Sequence, residues 1–197
     1  MTCIVGLVHE GSVFIGGDSA GVNERLDVFV RADEKVFTKG SMVLGFSGSF
    51  RMGQLLRYSF NPPDQTIGED DFAYLCGPWV GSLSECMKVN GCATIKDNEI
   101  GFNGDFLLGF NGALYRIHED FQVAKRTEPY NSCGCASDYA IGAMSMLIDT
   151  DLEPEEKIIM ALEVAERFSA GVKGPFVIKQ LSENEIDFTF TEELDEN

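Results

Sequence analysis

Apolar residues fall along this chain in two textures, short continuous runs and stripes at three- and four-residue steps, and each predicts its own kind of element. Residues 3–8 and 12–17 are nearly unbroken apolar runs parted by His9-Glu10-Gly11, the pattern of a β-hairpin. Their continuity suits strands covered on both faces. Residues 19–30 mix glycine, charge and β-branched side chains, which predicts a loop and a short strand leading away from the sheet and back. Further strands are expected at 42–46, 93–95, 106–110, 113–117 and 121–123, with Asn111-Gly112 as a tight turn. A last hairpin is expected from 176–181 and 186–190.

The helical stripes come in two pairs. The first helix spans about 50–60, with Met52, Leu55 and Leu56 on one side, and Asn61-Pro62-Pro63-Asp64 stops it. The second spans about 72–89 through Leu75, Trp79, Leu83, Cys86 and Met87, with Gly77-Pro78 kinking or delaying it. A third spans about 137–149. A fourth starts near Pro154, with acids in its first turn and Ile158, Leu162, Ala165 and Phe168 as its buried stripe. The order of strands, two helices, strands and two helices permits an α+β sandwich of stacked layers. One domain is expected over 1–190, followed by an acidic tail at 191–197.

Composition narrows the partners. The chain has 197 residues, 44% of them hydrophobic, enough for one sizeable core. Its formal net charge of −17 argues against a nucleic-acid surface, which needs clustered Lys and Arg. No run of about 18 apolar residues marks a membrane span, and no secretory leader is visible, so the cytoplasm is the expected compartment. Six cysteines and two histidines show no metal-ligand spacing, and no metal or cofactor is expected. His118, beside Glu119 and Asp120, reads as an exposed strand end.

The chain's opening carries the candidate chemistry. Removal of Met1 would leave Thr2 with a free amine, a base on the same residue as a hydroxyl nucleophile. An α-amine titrates near 7.7–8.0, so it is substantially neutral near physiological pH. A neighbouring cation favours the neutral amine further. Lys35 is the candidate cation, and Asp18 the carboxylate that holds it charged and in place. Gly48 stands where a strand runs into a helix, a junction that leaves backbone N–H groups open to a developing oxyanion.

Several of these residues recur in order. Thr2-x-x-Val5-Gly6 opens a strand and Gly16-Gly17-Asp18-Ser19 closes the next. Lys35 precedes Val36-Phe37, and Gly45-Phe46-Ser47-Gly48-Ser49 follows. Farther along stands Gly134-Cys135-Ala136-Ser137-Asp138-Tyr139-Ala140. The set resembles the proteasome β-subunit family of N-terminal-nucleophile hydrolases, including the HslV-type protease, and does so most closely over the first 60 residues.

That resemblance implies a four-layer α/β/β/α sandwich, two antiparallel sheets with outer helices. It implies a threonine peptidase in which Thr2 attacks, Lys35 and Asp18 set the electrostatics, and the Gly48 amide binds the oxyanion. Ser19 helps orient the amine. Cys135 stands where the family places an amine-anchoring serine, with Ser137 or Asp138 as substitutes, and Ser169 stands as a remnant of a further contact. The resemblance also implies a polypeptide substrate, a homo-oligomeric ring and an ATP-driven unfoldase as partner, without cofactor. Two rivals keep the fold: a non-proteolytic amidohydrolase or acyl transferase acting through Thr2, and a catalytically silent ring or shell protein.

Overall fold

Glu10 and Gly11 both hold positive φ, 49° and 76°, the backbone twist that a two-residue hairpin turn requires. They join β1 (Ile4–His9) to β2 (Ser12–Gly17), with His9 opposite Ser12. In this computed structural model the described residues are 1–182 except 24, 26, 97 and 98. The expected strand at 186–190 and the acidic tail lie outside them. A small hairpin of β3 (Ala20–Val22) and β4 (Val28–Val30) follows, with Val28, Phe29 and Val30 exposed.

β5 (Val36–Lys39) and β6 (Met42–Gly48) form the next hairpin. Ser49 caps α1 (Phe50–Tyr58) by accepting the Met52 N–H, so the strand passes into the helix within two residues. The second expected helix is realised in three pieces: α2 (Asp71–Tyr74), a π-helical turn at Leu75–Trp79, and α3 (Val80–Val89). Pro78 lies inside the π turn, which takes up the N–H that proline lacks without ending the helix.

β7 (Ala93–Lys96) pairs with β8 (Glu99–Phe102), then come β9 (Gly104–Phe110), β10 (Ala113–Ile117), β11 (Val123–Lys125) and β12 (Tyr130–Cys133). β8 and β12 are not anticipated by the hydrophobic pattern, because each is four residues long and carries polar or glycine positions. Phe121, expected in a strand, instead sits at φ 67° in a turn where its N–H reaches the His118 carbonyl. α4 (Ser137–Leu147) and α5 (Pro154–Phe168) follow, the latter opened by a Glu153/Glu156 capping box. β13 (Val177–Leu181) closes the described chain.

The strands make two main antiparallel sheets, ordered β12-β1-β2-β13 and β11-β10-β9-β6-β5. Side-chain alternation sorts the core into three slabs. Ile4, Val13, Ile15, Val36, Val43 and Leu107 fill the space between the sheets. Val5, Leu7 and Phe14 face α4 and α5 through Ala140, Met144, Ile158 and Leu162. Phe37, Leu44, Phe106 and Leu108 face the other helices through Met52, Leu55, Trp79 and Leu83. Three apolar slabs between four layers are the α/β/β/α sandwich, with antiparallel sheets inside and helices outside. Among the described residues no helix is long and apolar enough to cross a membrane.

Candidate active site

One end of the sandwich collects the strand ends that carry the candidate residues. β1 begins and β2 ends there, and the Asp18 N–H donates to the Cys3 carbonyl at 3.3 Å, so hairpin register alone brings Asp18 beside Thr2. In the other sheet β5 begins and β6 ends there, and the Phe46 N–H donates to the Lys35 carbonyl at 3.1 Å. β12 ends there too, leading into Gly134 and Cys135.

Lys35 crosses from one sheet to the other. Its Nζ donates to Thr2 Oγ1 at 3.0 Å and to both Asp18 oxygens, at 2.9 and 3.0 Å. The side chains of Lys35 and Asp18 are 1% and 0% exposed. Asp18 also accepts from the backbone N–H of Cys3 at 3.0 Å and of Ala20 at 2.8 Å, and from Lys173 at 3.4 Å. A carboxylate held by this many donors is fixed in place, and it fixes the ammonium opposite it. Burial lowers the Lys35 ammonium below the ordinary lysine value, while the Asp18 charge and hydrogen bonds pull it back up. The Phe50 ring lies 5.9 Å from Lys35 Nζ, with the Arg31 guanidinium 3.8 Å from the same ring.

Thr2 is itself buried, at 2% exposure, with Met1 attached and partly exposed. Its Oγ1 donates back to the Met1 carbonyl and its N–H points to Cys135 Sγ at 3.4 Å. The same sulfur lies 3.5 Å from the Thr2 carbonyl and 3.9 Å from Ser169 Oγ. Gly134, at φ 101°, is pressed so close that a Cβ there would fall 2.3 Å from the Thr2 carbonyl oxygen. Only glycine lets this segment lie flat against the threonine.

Of the nine residues singled out by sequence, Thr2, Asp18, Lys35, Cys135 and Ser169 are joined by these contacts. Ser19 faces elsewhere: its hydroxyl donates to the Pro175 carbonyl at 2.6 Å, which ties the β2 end to the 173–175 segment. Ser137 opens α4 with its N–H on the Gly134 carbonyl at 3.1 Å, and Asp138 is exposed in the first turn of that helix. Gly48 ends β6 at φ 95°, opposite Gly104, where a Cβ would meet Gly104 Cα at 2.5 Å. Gly48 is exposed, at the strand end that leads into α1.

Burial pushes the Cys3 thiol up to about 12, and raises Cys133 well above the usual thiol value. Neither is a nucleophile near neutral pH. Phe50, Arg31 and the Lys173 amide carry no signal in the sequence that marks them for the site. The first two adjoin Lys35 only because β4, β5 and α1 meet in space, and the third is a backbone group with no sequence signature.

No family sequence model matches the chain, and no curated protein sequence matches it. Solved structures do. BPH of Thiobacillus denitrificans, solved alone and in complex with epoxomicin, superposes with a TM-score of 0.78 at 18% identity, over 92–93% of this chain and 98–100% of its own. Eukaryotic HslV from Trypanosoma brucei gives 0.66 at 16% identity over 92% of this chain and 99% of its own. Anbu from Yersinia bercovieri gives 0.64 at 14% identity, over 92% and 82%. With its two antiparallel sheets and outer helices, this chain has the proteasome-type N-terminal-nucleophile hydrolase fold.

Proposed function

We propose that this chain is a proteasome-like threonine peptidase that cleaves peptide bonds with Thr2 once Met1 has been removed. The observation that carries the reading is the buried relay in which Lys35 Nζ, held by both Asp18 oxygens, lies 3.0 Å from Thr2 Oγ1. A surface lysine would not sacrifice hydration for that geometry; here the cost is met by a carboxylate that Lys35 shares with three backbone N–H donors. While Met1 is attached, the Thr2 nitrogen is a peptide amide and accepts no proton. Cleavage of that bond supplies the base.

The free amine then takes the Thr2 Oγ1 proton, directly or through water, as the oxygen attacks the substrate carbonyl. Lys35 opposes a second positive charge beside it and stabilises the oxygen as negative charge develops. The Gly48 N–H receives the oxyanion. Collapse breaks the C–N bond, the α-ammonium returns its proton to the leaving amine, and an ester to Thr2 remains. Water activated by the same amine hydrolyses the ester. Cys135 takes the amine-anchoring place, and Ser169 supports it through the sulfur.

On the same reading the substrate is a polypeptide, the chain works as a homo-oligomeric ring in the cytoplasm, and an ATP-driven unfoldase feeds it. Exposed Tyr139, Met146, Met160 and Phe168 on α4 and α5 support self-assembly, since such apolar area favours a protein partner. The test is hydrolysis of tripeptide reporters and an unfolded protein by chain lacking Met1, beside Thr2→Ala. Cleavage by the first and none by the second is expected. Turnover of small amides alone would move the reading to an amidohydrolase, and no turnover of either would leave the silent assembly protein.

A further inference from the structure

Ser47, one residue before Gly48, is buried and turned into the space between the sheets. Its hydroxyl donates to Asp105 Oδ1 at 2.8 Å, across the β6–β9 pair in which the two residues face each other. The other carboxylate oxygen accepts from Arg116 on β10, from Nε at 2.8 Å and from the Nη2 group. Arg116 then leaves its own sheet: Nη1 donates to the Ser132 carbonyl of β12 at 3.1 Å. The Cys133 thiol returns the link by donating to the Asp105 carbonyl at 3.8 Å. The side chains of Arg116 and Asp105 are 27% and 17% exposed, so the pair is shielded enough to hold its geometry.

Each end of this chain of contacts is covalently next to a working part of the site. Ser47 leads into Gly48. Ser132 and Cys133 lead into Gly134, which presses on the Thr2 carbonyl, and into Cys135, whose sulfur touches Thr2 on both sides. A Cβ on Gly134 would also lie 3.3 Å from Ser47 Cβ, so the two strands meet directly beneath the threonine.

We propose that Arg116 and Asp105 form an inter-sheet clamp that sets the spacing between the Gly48 amide and Thr2, with Ser47 as its catalytic-side contact. They are positioning residues, which touch no reacting atom, and the proposal rests on the peptidase reading above for its kinetic consequence alone. Oxyanion donors act within a few tenths of an ångström, so slack between the sheets lowers turnover without altering how substrate is first held.

The test uses the full chain with Ser47→Ala, Arg116→Gln and Arg116→Lys in two measurements. Amide hydrogen exchange asks about the clamp itself. In Arg116→Gln, exchange is expected to rise about threefold or more at both 46–49 and 133–136, with α5 unchanged. A rise confined to β10 overturns the clamp. Steady-state kinetics ask about its effect. Ser47→Ala is expected to lower kcat about tenfold with KM within about twofold and an unshifted pH profile, Arg116→Lys to recover part of the Arg116→Gln loss, and the Ser47→Ala/Arg116→Gln double variant to lose little beyond either single one. Unchanged kcat in folded Ser47→Ala and Arg116→Gln, with wild type active, refutes the positioning role. If wild type itself is inactive while both segments loosen together, the clamp stands and the peptidase reading falls.

Discussion

Replacing Asp18 with asparagine removes one charge from a pair sealed at 0–1% side-chain exposure and leaves the Lys35 ammonium with no counter-ion. It also turns an acceptor into a donor against one of the N–H groups of Cys3, Ala20 or Lys173. Breaking a buried pair by removing one partner costs about 3–5 kcal/mol. The lysine has one escape, to lose its proton, and at pH 7 that costs at most about 4.8 kcal/mol from an unfolded value near 10.4–10.5. The two figures agree, so Asp18→Asn is expected to lose about 3–5 kcal/mol at pH 7, a large share of a typical 5–15 kcal/mol total. The sign of the pH dependence follows. The lysine pKa, already lowered in the folded wild type, falls further in the variant, so its unfolded chain binds the extra proton. The variant therefore regains stability as pH rises towards 10.5, and its deficit against wild type narrows. Urea unfolding at pH 7 and pH 10 measures this. A loss under about 1 kcal/mol that is the same at both pH values would refute the buried pair, as would a Lys35→Met/Asp18→Asn double variant less stable than either single one.

Cys135→Ser places a shorter, stronger hydrogen-bonding group where sulfur now lies 3.4 Å from the Thr2 nitrogen, and it is expected to keep or raise turnover about two- to fivefold. A tenfold fall would mean that sulfur itself is required. Gly48→Ala sets a Cβ 2.5 Å from Gly104 Cα at a φ of 95°, and thermal unfolding should show a loss of about 2–3 kcal/mol or more; an unchanged midpoint contradicts the strand geometry. In native protein near pH 8, iodoacetamide should modify exposed Cys76 and Cys135 while Cys3 and Cys133 stay unmodified until unfolding, which peptide mapping reads directly. Because Cys3 is raised to about 12 in the folded chain, its stabilising contribution is full below about pH 9 and is lost as pH rises from there towards 12. Cys3→Ala should flatten that alkaline fall.

The parts of the site legible in the sequence are those that local rules place. Apolar runs around Glu10-Gly11 define a hairpin, and hairpin register sets Asp18 beside Thr2 without further information. A lysine ahead of Val36-Phe37 in a half-buried strand has one direction in which to point, and it points at Asp18. Ser19 follows the aspartate in the link between β2 and β3, and its hydroxyl goes to the Pro175 carbonyl, a partner 156 residues away that no local rule announces. What sequence did not reveal is non-local. Asp105 and Arg116 stand in strands whose apolar neighbours announce only core, and their pairing with Ser132 exists because two sheets stack. The short β8 and β12 escaped because four residues with polar or glycine positions carry too little periodicity. Phe121 escaped because an aromatic residue at positive φ runs against its usual preference.

The central claim is that Thr2, freed of Met1, is the nucleophile. Its most direct measurement is intact mass of natively expressed protein before and after incubation with a peptide epoxyketone. Loss of Met1 is expected, with a single adduct that maps to Thr2, absent in Thr2→Ala and slowed in Lys35→Met. Retention of Met1 with no adduct, or an adduct that persists in Thr2→Ala, would contradict it.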